Sequence, residues 1–181
     1  SGSGKSVFCS RWIYNYLKKH RKNNFYIFSS VDEDEPLDKL GAERPDAYDV
    51  ACDGMDLEDV ENSIFLFDDI ATISDRGTRK GIEALRNDLL ECGRHYKTSV
   101  VCTSHLITNG WESRRVINES LGICLFPKSN AKHIKAYLKN YEQWNECDIL
   151  RCLHLNSRWF FLVKNPIYPH YVIHEKGAYL V

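Results

Sequence analysis

The sequence predicts an α/β fold, with helices on both faces of a mainly parallel sheet and a β-hairpin near the C-terminal end. Two observations favour this class. Short apolar runs alternate along the chain with longer segments whose apolar residues recur at helical spacing. One run, residues 63–70, has five apolar residues in eight, which is typical of a parallel strand buried on both faces. We expect residues 1–181 to form one domain, because this length suits a single hydrophobic core.

The first half of the chain alternates helix and strand. We predict a helix over 5–23, a strand over 25–30, mainly loop over 31–49, a short helix over 55–62 with Asp56 as its cap, and a strand over 63–70. A longer helix over 78–96 follows. Its apolar residues share one face at helical spacing: Ile82, Leu85, Leu89 and Cys92.

The second half continues this alternation and ends in strands. We predict a strand over 99–105, a short helix over 111–120, a strand over 122–127 that a proline stops, helices over 131–141 and 146–155, and a hairpin of 158–165 with 170–176. Because helices separate most of the strands, we expect parallel βαβ units.

Composition and charge exclude several classes of protein. The chain carries 24 basic and 25 acidic residues, so a nucleic-acid partner would need local basic patches rather than a basic chain. Seven cysteines, an odd number without a C-x-x-C pair, indicate reduced thiols in a reducing compartment. No apolar run approaches the roughly 20 residues of a membrane-spanning helix.

The segment "SGSGKS", residues 1–6, predicts the end of a phosphate-binding loop. Gly4-Lys5-Ser6 matches the last three positions of G-x-x-x-x-G-K-[ST], and we expect the first glycine and the strand before it to precede Ser1. Lys5 would reach the β- and γ-phosphates of a nucleotide, and the Ser6 hydroxyl would bind Mg²⁺. The backbone of the loop would surround the phosphates: Ser1, Gly2, Ser3 and Gly4. A flexible Gly/Ser linker is the alternative.

Two aspartates follow the buried strand, at the position where phosphate-loop enzymes need carboxylates. We predict that Asp68 helps to hold Mg²⁺ and that Asp69 is the general base for the attacking water. A simple aspartate turn is the alternative. The next strand ends in Thr103, Ser104 and His105. We favour His105 as the residue that senses the γ-phosphate, against a histidine that only completes a turn.

Together these segments resemble the genome-packaging ATPases of large double-stranded DNA viruses, the poxvirus and giant-virus type within the FtsK–HerA superfamily of P-loop NTPases. The resemblance spans nearly the whole chain and rests on "SGSGKS", "IFLFDDI", "LLECGRHYKTSVVCTSHL", "RRVINES" and the tail from residue 158. It implies a five-stranded core sheet with an additional strand between the phosphate-loop strand and the acid strand. Asp69 departs from the wider superfamily, which has the longer glutamate at this position.

The resemblance also implies partners and a working assembly. Members of the family form ring oligomers, typically hexamers, which thread double-stranded DNA and hydrolyse ATP between subunits. Arg94 would supply an arginine finger to a neighbour, with Arg114 and Arg115 as alternatives. A cation favoured by the dipole at a helix C-terminal end is the other interpretation of Arg94. Capsid portal or vertex proteins would be partners, and the virion or the viral factory in the host cytoplasm would be the location.

Four basic clusters offer contacts to the DNA backbone: residues 18–22, 76–80, 114–115 and 128–135. We predict contacts from Arg76, Arg79 or Lys80, because this segment directly follows the acid strand, although a cluster of this kind is more often a solvated surface than a DNA contact. Three other functions stay open. They are a cellular or mobile-element DNA pump of the same superfamily, a phosphate-loop kinase for a small molecule, and a nucleotide-dependent scaffold.

Overall fold

The computed structural model describes residues 4–108, 110–164 and 170–181. Three predicted loop residues, Ser1, Gly2 and Ser3, lie outside this part of the chain. The chain divides into two compact units. The N-terminal unit is Lys5–His105, and the C-terminal unit comprises Ser1–Gly4 and Leu106–Val181.

The N-terminal unit is a three-stranded parallel sheet with helices. Its elements are α1 (Lys5–Lys19), β1 (Asn24–Ser29), α2 (Glu35–Asp38), α3 (Ala47–Asp53), β2 (Ser63–Asp68), a 3₁₀ turn (Ile70–Thr72), α4 (Arg76–Cys92) and β3 (Ser99–Thr103). The strand order is β1-β2-β3, and both pairings are parallel. The predicted parallel arrangement and the strands at 25–30, 63–70 and 99–105 are therefore confirmed.

Helices cover both faces of this sheet. On one face, Ile13 of α1 and Leu37 of α2 pack with strand residues such as Ile64. On the other face, Ile82 and its neighbours on α4 pack against a layer of stacked aromatic rings: Tyr26, Phe28, Phe65 and Phe67. Each fully buried side chain of this size contributes roughly 1.5–3 kcal/mol, so the burial of β2 on both faces fixes its central place.

The register of the sheet sets the position of the polar residues that end its strands. Ser29 of β1 pairs with Asp68 of β2, and Asp68 pairs with Thr103 of β3. Since the strands are parallel, all three of their last residues lie abreast at one edge, which we call the carboxyl edge. The opposite edge, at which the three strands begin, is the amino edge.

The segment between β1 and β2 differs from the prediction. Residues 31–49 contain α2 and the start of α3, whose first turns are capped by the side chains of Asp34 and Asp46. The predicted helix over 55–62 is wrong, and these residues form turns. Asp56 does not cap a helix there, because its carboxylate accepts from the Glu58 N–H within a turn.

The C-terminal unit is built on a four-stranded antiparallel sheet. Its elements are α5 (Gly110–Glu119), β4 (Gly122–Leu125), α6 (Pro127–Asn140), α7 (Glu146–Leu153), β5 (Phe160–Val163), β6 (Tyr171–His174) and β7 (Gly177–Leu180). The strand order is β4-β5-β6-β7. The predicted antiparallel pairing of the C-terminal strands is confirmed, and β7 is an additional strand that was not predicted.

The expectation of parallel pairing holds for β1–β3 and is wrong for β4, which pairs antiparallel with β5. Burial in β5 alternates, with Phe160 and Leu162 fully buried between more accessible neighbours. This alternation is typical of an antiparallel sheet that is covered on one face and open to solvent on the other. The covered face packs against α6 and α7, through residues such as Tyr137 and Ile149.

None of the helices in the described part of the chain combines the length and the apolar composition of a membrane span.

Candidate active site

Three strands contribute polar side chains to one cluster at the carboxyl edge. The Thr103 hydroxyl donates to Oδ1 of Asp68 over 2.5 Å. The Ser29 hydroxyl lies 3.5 Å from Oδ2 of the same carboxylate, which is long for a hydrogen bond. Asp68 itself is partly exposed, whereas the five residues of β2 before it are buried. The buried strand therefore ends by presenting a carboxylate that two hydroxyls orient.

A second group of charged side chains meets beside this cluster. The Lys5 ammonium at the start of α1 lies 3.1 Å from Oδ2 of Asp69 and 3.2 Å from Nδ1 of His105. The other ring nitrogen of His105, Nε2, is 3.1 Å from the same Asp69 oxygen. Only 15% of the Lys5 side chain and 20% of the Asp69 side chain are exposed, against 55% for His105. The sequence separations of 64 and 100 residues from Lys5 make this a tertiary arrangement.

The backbone of Asp69 adopts a conformation that few residues accept. Its φ of 47° and ψ of 37° are left-handed, which costs an L-residue about 1 kcal/mol and is tolerated best by Asn and Asp among non-glycine residues. Three hydrogen bonds hold it there. The Asp69 N–H donates to the Thr103 hydroxyl over 3.1 Å, and its carbonyl accepts from the N–H and the hydroxyl of Thr72. The Thr103 hydroxyl thus joins both aspartates.

The start of α1 has the features of an anion-binding site. Gly4 has a φ of +87°, a conformation that favours glycine, and α1 begins at the next residue. The first turn of this 15-residue helix has no acidic residue, whereas its last turn carries Lys18 and Lys19. The first N–H groups of a helix have no partner within the helix and carry the positive end of its dipole. Lys5 adds a full positive charge at this point.

Cys9 lies one turn further along α1, and it is not a nucleophile for this site. Burial raises the pKa of its thiol to about 12, and the negative charge of Asp68 acts in the same direction. The thiol therefore stays neutral at physiological pH. Its role is packing, as expected for a buried cysteine.

The oxygen-rich cluster fits Mg²⁺. Asp68 and Ser6 would hold it, because Mg²⁺ prefers oxygen ligands and is usually bound through one or two carboxylates together with phosphates and water. Ser6 lies in the first turn of α1 and is partly buried. Within residues 4–108, 110–164 and 170–181, no three His, Cys, Asp or Glu side chains form a metal site by themselves.

The predicted cations at the start of α4 lie in two environments. Arg76 and Lys80 are exposed. Arg79 is partly buried, and its guanidinium lies 3.4 Å from the carbonyl of Ala71 and 3.5 Å from that of Ile73. Arg79 therefore contacts the segment that follows Asp69, whereas Arg76 and Lys80 face solvent.

Among the predicted trans arginines, the one in the N-terminal unit, Arg94, lies away from the carboxyl edge. Arg94 is exposed in the turn between α4 and β3, beside the residues that precede β2 at the amino edge. The six-residue length of β2 separates this edge from Asp69 by about 17 Å. Arg94 therefore does not reach the Lys5–Asp69 group of its own chain. Arg114 and Arg115 are exposed residues of α5 in the C-terminal unit.

Two contributions to the site were missed in the sequence. Ser29 was not considered, and Thr103 was named only as part of the strand end, without its role between Asp68 and Asp69. The available signal was the change from apolar to polar residues where a strand ends, as in "FYIFSS". The partners of these hydroxyls depend on strand order and register, which adjacent residues do not specify.

Comparisons with known proteins place the chain beside a viral relative. It is 36% identical over 180 residues to a protein of the Sputnik virophage named "Uncharacterized protein V3". The alignment covers 98% of this chain and 73% of that relative. No family model matches the chain, and no solved structure matches it. The relative supports the expected viral origin, and its name states no activity.

Proposed function

The chain belongs to the family of the Sputnik virophage protein V3, and we propose that it is an ATP-hydrolysing motor that moves double-stranded DNA into a viral capsid. One observation carries the proposal. The Lys5 ammonium, at the start of α1, lies 3.1 Å from the carboxylate of Asp69, which is the residue directly after the buried strand β2. A cation and a carboxylate suited to phosphoryl chemistry therefore share one edge of a parallel sheet.

The start of α1 would bind the phosphates of ATP. The Lys5 ammonium would turn from Asp69 toward the β- and γ-phosphates, and the first N–H groups of α1 would donate to phosphate oxygens. The backbone of Ser1, Gly2, Ser3 and Gly4, which precede the helix in the sequence, would complete the phosphate-binding loop.

The two aspartates would have separate roles. Asp68, oriented by Thr103, would hold Mg²⁺ together with Ser6, and the metal would neutralise charge on the β- and γ-phosphates. Asp69 would accept a proton from water as the water oxygen bonds to the γ-phosphorus and the bond to the ADP oxygen breaks. His105, which contacts both Lys5 and Asp69, would report whether the γ-phosphate is present.

A ring of subunits would complete the site. An arginine finger neutralises charge in the transition state of phosphoryl transfer and can come from a neighbouring molecule. Arg94, at the amino edge, cannot reach its own Asp69, so it would act on the nucleotide of a neighbour. Arg114 and Arg115 stay as alternatives. A hexamer with a central channel for DNA is the assembly that we propose.

Contacts to DNA near the site would come from the start of α4. Arg76, Arg79 and Lys80 follow the segment after Asp69, so a change at the nucleotide could move them. Such contacts would bind phosphates without reading sequence, and salt would weaken them strongly. Capsid portal or vertex proteins are the further partners that this function requires.

Steady-state ATP hydrolysis, measured with and without double-stranded DNA, tests the proposal. We expect Mg²⁺-dependent hydrolysis that DNA stimulates, and its loss in Lys5→Ala. Hydrolysis that DNA does not affect, together with phosphate transfer to a small molecule, would favour a kinase. ATP binding without hydrolysis in either condition would favour a scaffold. A cellular or mobile-element pump shares this chemistry and differs only in what it moves.

A further inference from the structure

A basic groove lies at the amino edge of the parallel sheet, away from the candidate active site. It has a volume of about 500 Å³ and is open to solvent. Most of its lining comes from the end of α1 and the turn that follows: Lys19, His20, Arg21, Lys22 and Asn23, with Asn62 opposite. We call this feature the basic groove.

The charge of this segment contrasts with that of the whole chain. Residues 5–31 contain six lysines and arginines and no acidic residue, in a protein with 24 basic and 25 acidic residues. Within the described part of the chain, no carboxylate forms an ion pair with the basic residues from 18 to 22. Glu61 also lines the groove, but its carboxylate lies 3.4 Å from the ammonium of Lys97. The groove is therefore strongly positive.

Hydrogen bonds and ring stacking hold the segments that line the groove in place. The Tyr16 hydroxyl lies 3.0 Å from the Ser99 hydroxyl of β3 and accepts from the Asn23 side chain over 3.1 Å. The His20 ring stacks on the Tyr16 ring with centroids 4.4 Å apart. Opposite them, the Asn62 N–H donates to the Tyr96 carbonyl over 2.9 Å. These contacts fasten the end of α1 to the sheet, so the cations extend from a fixed surface.

The helix dipole does not account for the whole cluster. Lys18 and Lys19 lie in the last turn of α1, where a cation offsets the negative end of the dipole. Arg21 and Lys22 lie beyond the helix in the following turn and are exposed. A surface that gathers unpaired cations at adjacent positions matches a ligand with closely spaced negative charges.

We propose that the basic groove binds the phosphodiester backbone of double-stranded DNA, independently of sequence. Duplex DNA carries one negative charge per roughly 1.7 Å of its axis, so several adjacent cations can contact phosphates together. The side-chain amides of Asn23 and Asn62 add neutral donors for phosphate oxygens. The choice of DNA as the ligand rests on the proposed function. The groove is distinct from Arg76, Arg79 and Lys80, which follow the carboxyl edge.

The test compares two variants that remove the same charge. Lys19→Gln/Lys22→Gln changes one lysine at a helix end and one in a turn of the groove. The matched control, Lys139→Gln/Lys176→Gln, changes a lysine at the end of α6 and one in the turn between β6 and β7. Binding of the intact protein to a random-sequence duplex is measured by fluorescence anisotropy between 50 and 200 mM salt, after equal thermal midpoints show that both variants are folded.

We expect the groove variant to bind about tenfold more weakly per lost lysine near 0.1 M salt, and the slope of log affinity against log salt to fall by about 2. The control should keep both values. Adding Arg21→Gln should lower the slope by about one more. Equal losses in both variants, or no loss in the groove variant, would overturn the proposal. So would a groove variant that loses binding to poly-glutamate and keeps its binding to DNA, since the site would then serve an acidic polypeptide.

ATP hydrolysis without DNA separates this proposal from the proposed function. The groove variant should hydrolyse ATP at the wild-type rate, because none of its changed residues lies at the carboxyl edge. If the wild-type protein binds DNA through the groove but hydrolyses no ATP, the groove proposal stands and the proposed motor function is wrong. If the protein hydrolyses ATP and its DNA binding does not depend on the groove residues, the motor function stands and the groove proposal is wrong.

Discussion

The two edges of the parallel sheet differ in how their charges are arranged. At the carboxyl edge, the ionisable groups contact one another: Lys5 with Asp69 and His105, and Asp68 with the hydroxyl of Thr103. At the amino edge, the cations at the end of α1 face solvent, and no carboxylate in the described residues pairs with them. A single helix of 15 residues, about 22 Å long, joins the two edges.

This difference separates two kinds of binding. Paired charges and hydrogen-bonded hydroxyls have a fixed geometry, which chemistry on a phosphate requires. Unpaired cations attract a polyanion over a longer range without fixing its register. The polarity of α1 fits both uses, because its positive end lies at the predicted phosphate site and its last turn carries lysines that offset the negative end.

The largest expected effect is the loss of ATP hydrolysis when Lys5 is removed. Lys5→Ala should lower kcat/KM by on the order of a thousandfold, because a charge-assisted bond to the phosphates is lost. Lys19→Ala, at the other end of the same helix, is the matched control and should leave kcat/KM measured without DNA unchanged. Equal effects of the two changes would mean that ATP hydrolysis and DNA binding are not separated between the two edges of the sheet.

Asp69→Asn should separate binding from turnover. The amide keeps the size of the side chain but cannot accept a proton, so we expect kcat to fall by about a hundredfold. ATP binding should persist or tighten, because a negative charge beside Lys5 is removed. Asp53→Asn, at the exposed end of α3, is the control. Undiminished turnover would remove Asp69 from the mechanism.

Thr103→Val should show what the hydroxyl between the aspartates contributes. Its loss leaves the Asp69 N–H without an acceptor, so we expect about tenfold slower turnover, a higher Mg²⁺ requirement and roughly 1–2 kcal/mol lower stability. Thr103→Ser keeps the hydroxyl and should restore both kinetic values. A serine variant as impaired as the valine variant would show that the methyl group matters instead.

The smallest effects should distinguish Arg79 from Lys80. Arg79→Gln removes contacts to the Ala71 and Ile73 carbonyls, so we expect about two- to threefold slower hydrolysis without DNA. Lys80→Gln should leave that rate unchanged and lower the salt slope of DNA binding by about 1. If both variants change only the DNA slope, Arg79 is a DNA contact rather than a brace for the segment after Asp69.

Much of the site was predictable because its signals are local. A strand buried on both faces is apolar throughout, so β2 and the aspartates at its end stand out in the sequence. The amphipathic period identifies α4, and Gly4-Lys5-Ser6 fixes the start of α1. Because the strands are parallel, Asp69 and His105 follow β2 and β3 at the same edge, where the start of α1 brings Lys5 into contact with both.

The rest depends on partners that are distant in the sequence. β4 is only four residues long, and nothing within it specifies that β5, more than thirty residues later, is its neighbour. The link that Thr103 makes between Asp68 and Asp69 depends on register. The predicted helix at 55–62 was wrong because acidic residues that cap helices also stabilise turns, as Asp56 does here.

We propose that the carboxyl edge hydrolyses ATP and the amino edge binds DNA. This separation is tested most directly by measuring ATP hydrolysis at increasing concentrations of double-stranded DNA, in the wild type and in Lys19→Gln/Lys22→Gln. We expect equal rates without DNA and equal rates at saturating DNA, with the half-saturating DNA concentration raised about a hundredfold near 0.1 M salt, as the loss of two phosphate contacts requires. Superimposable curves, or a variant whose rate without DNA falls, would contradict it.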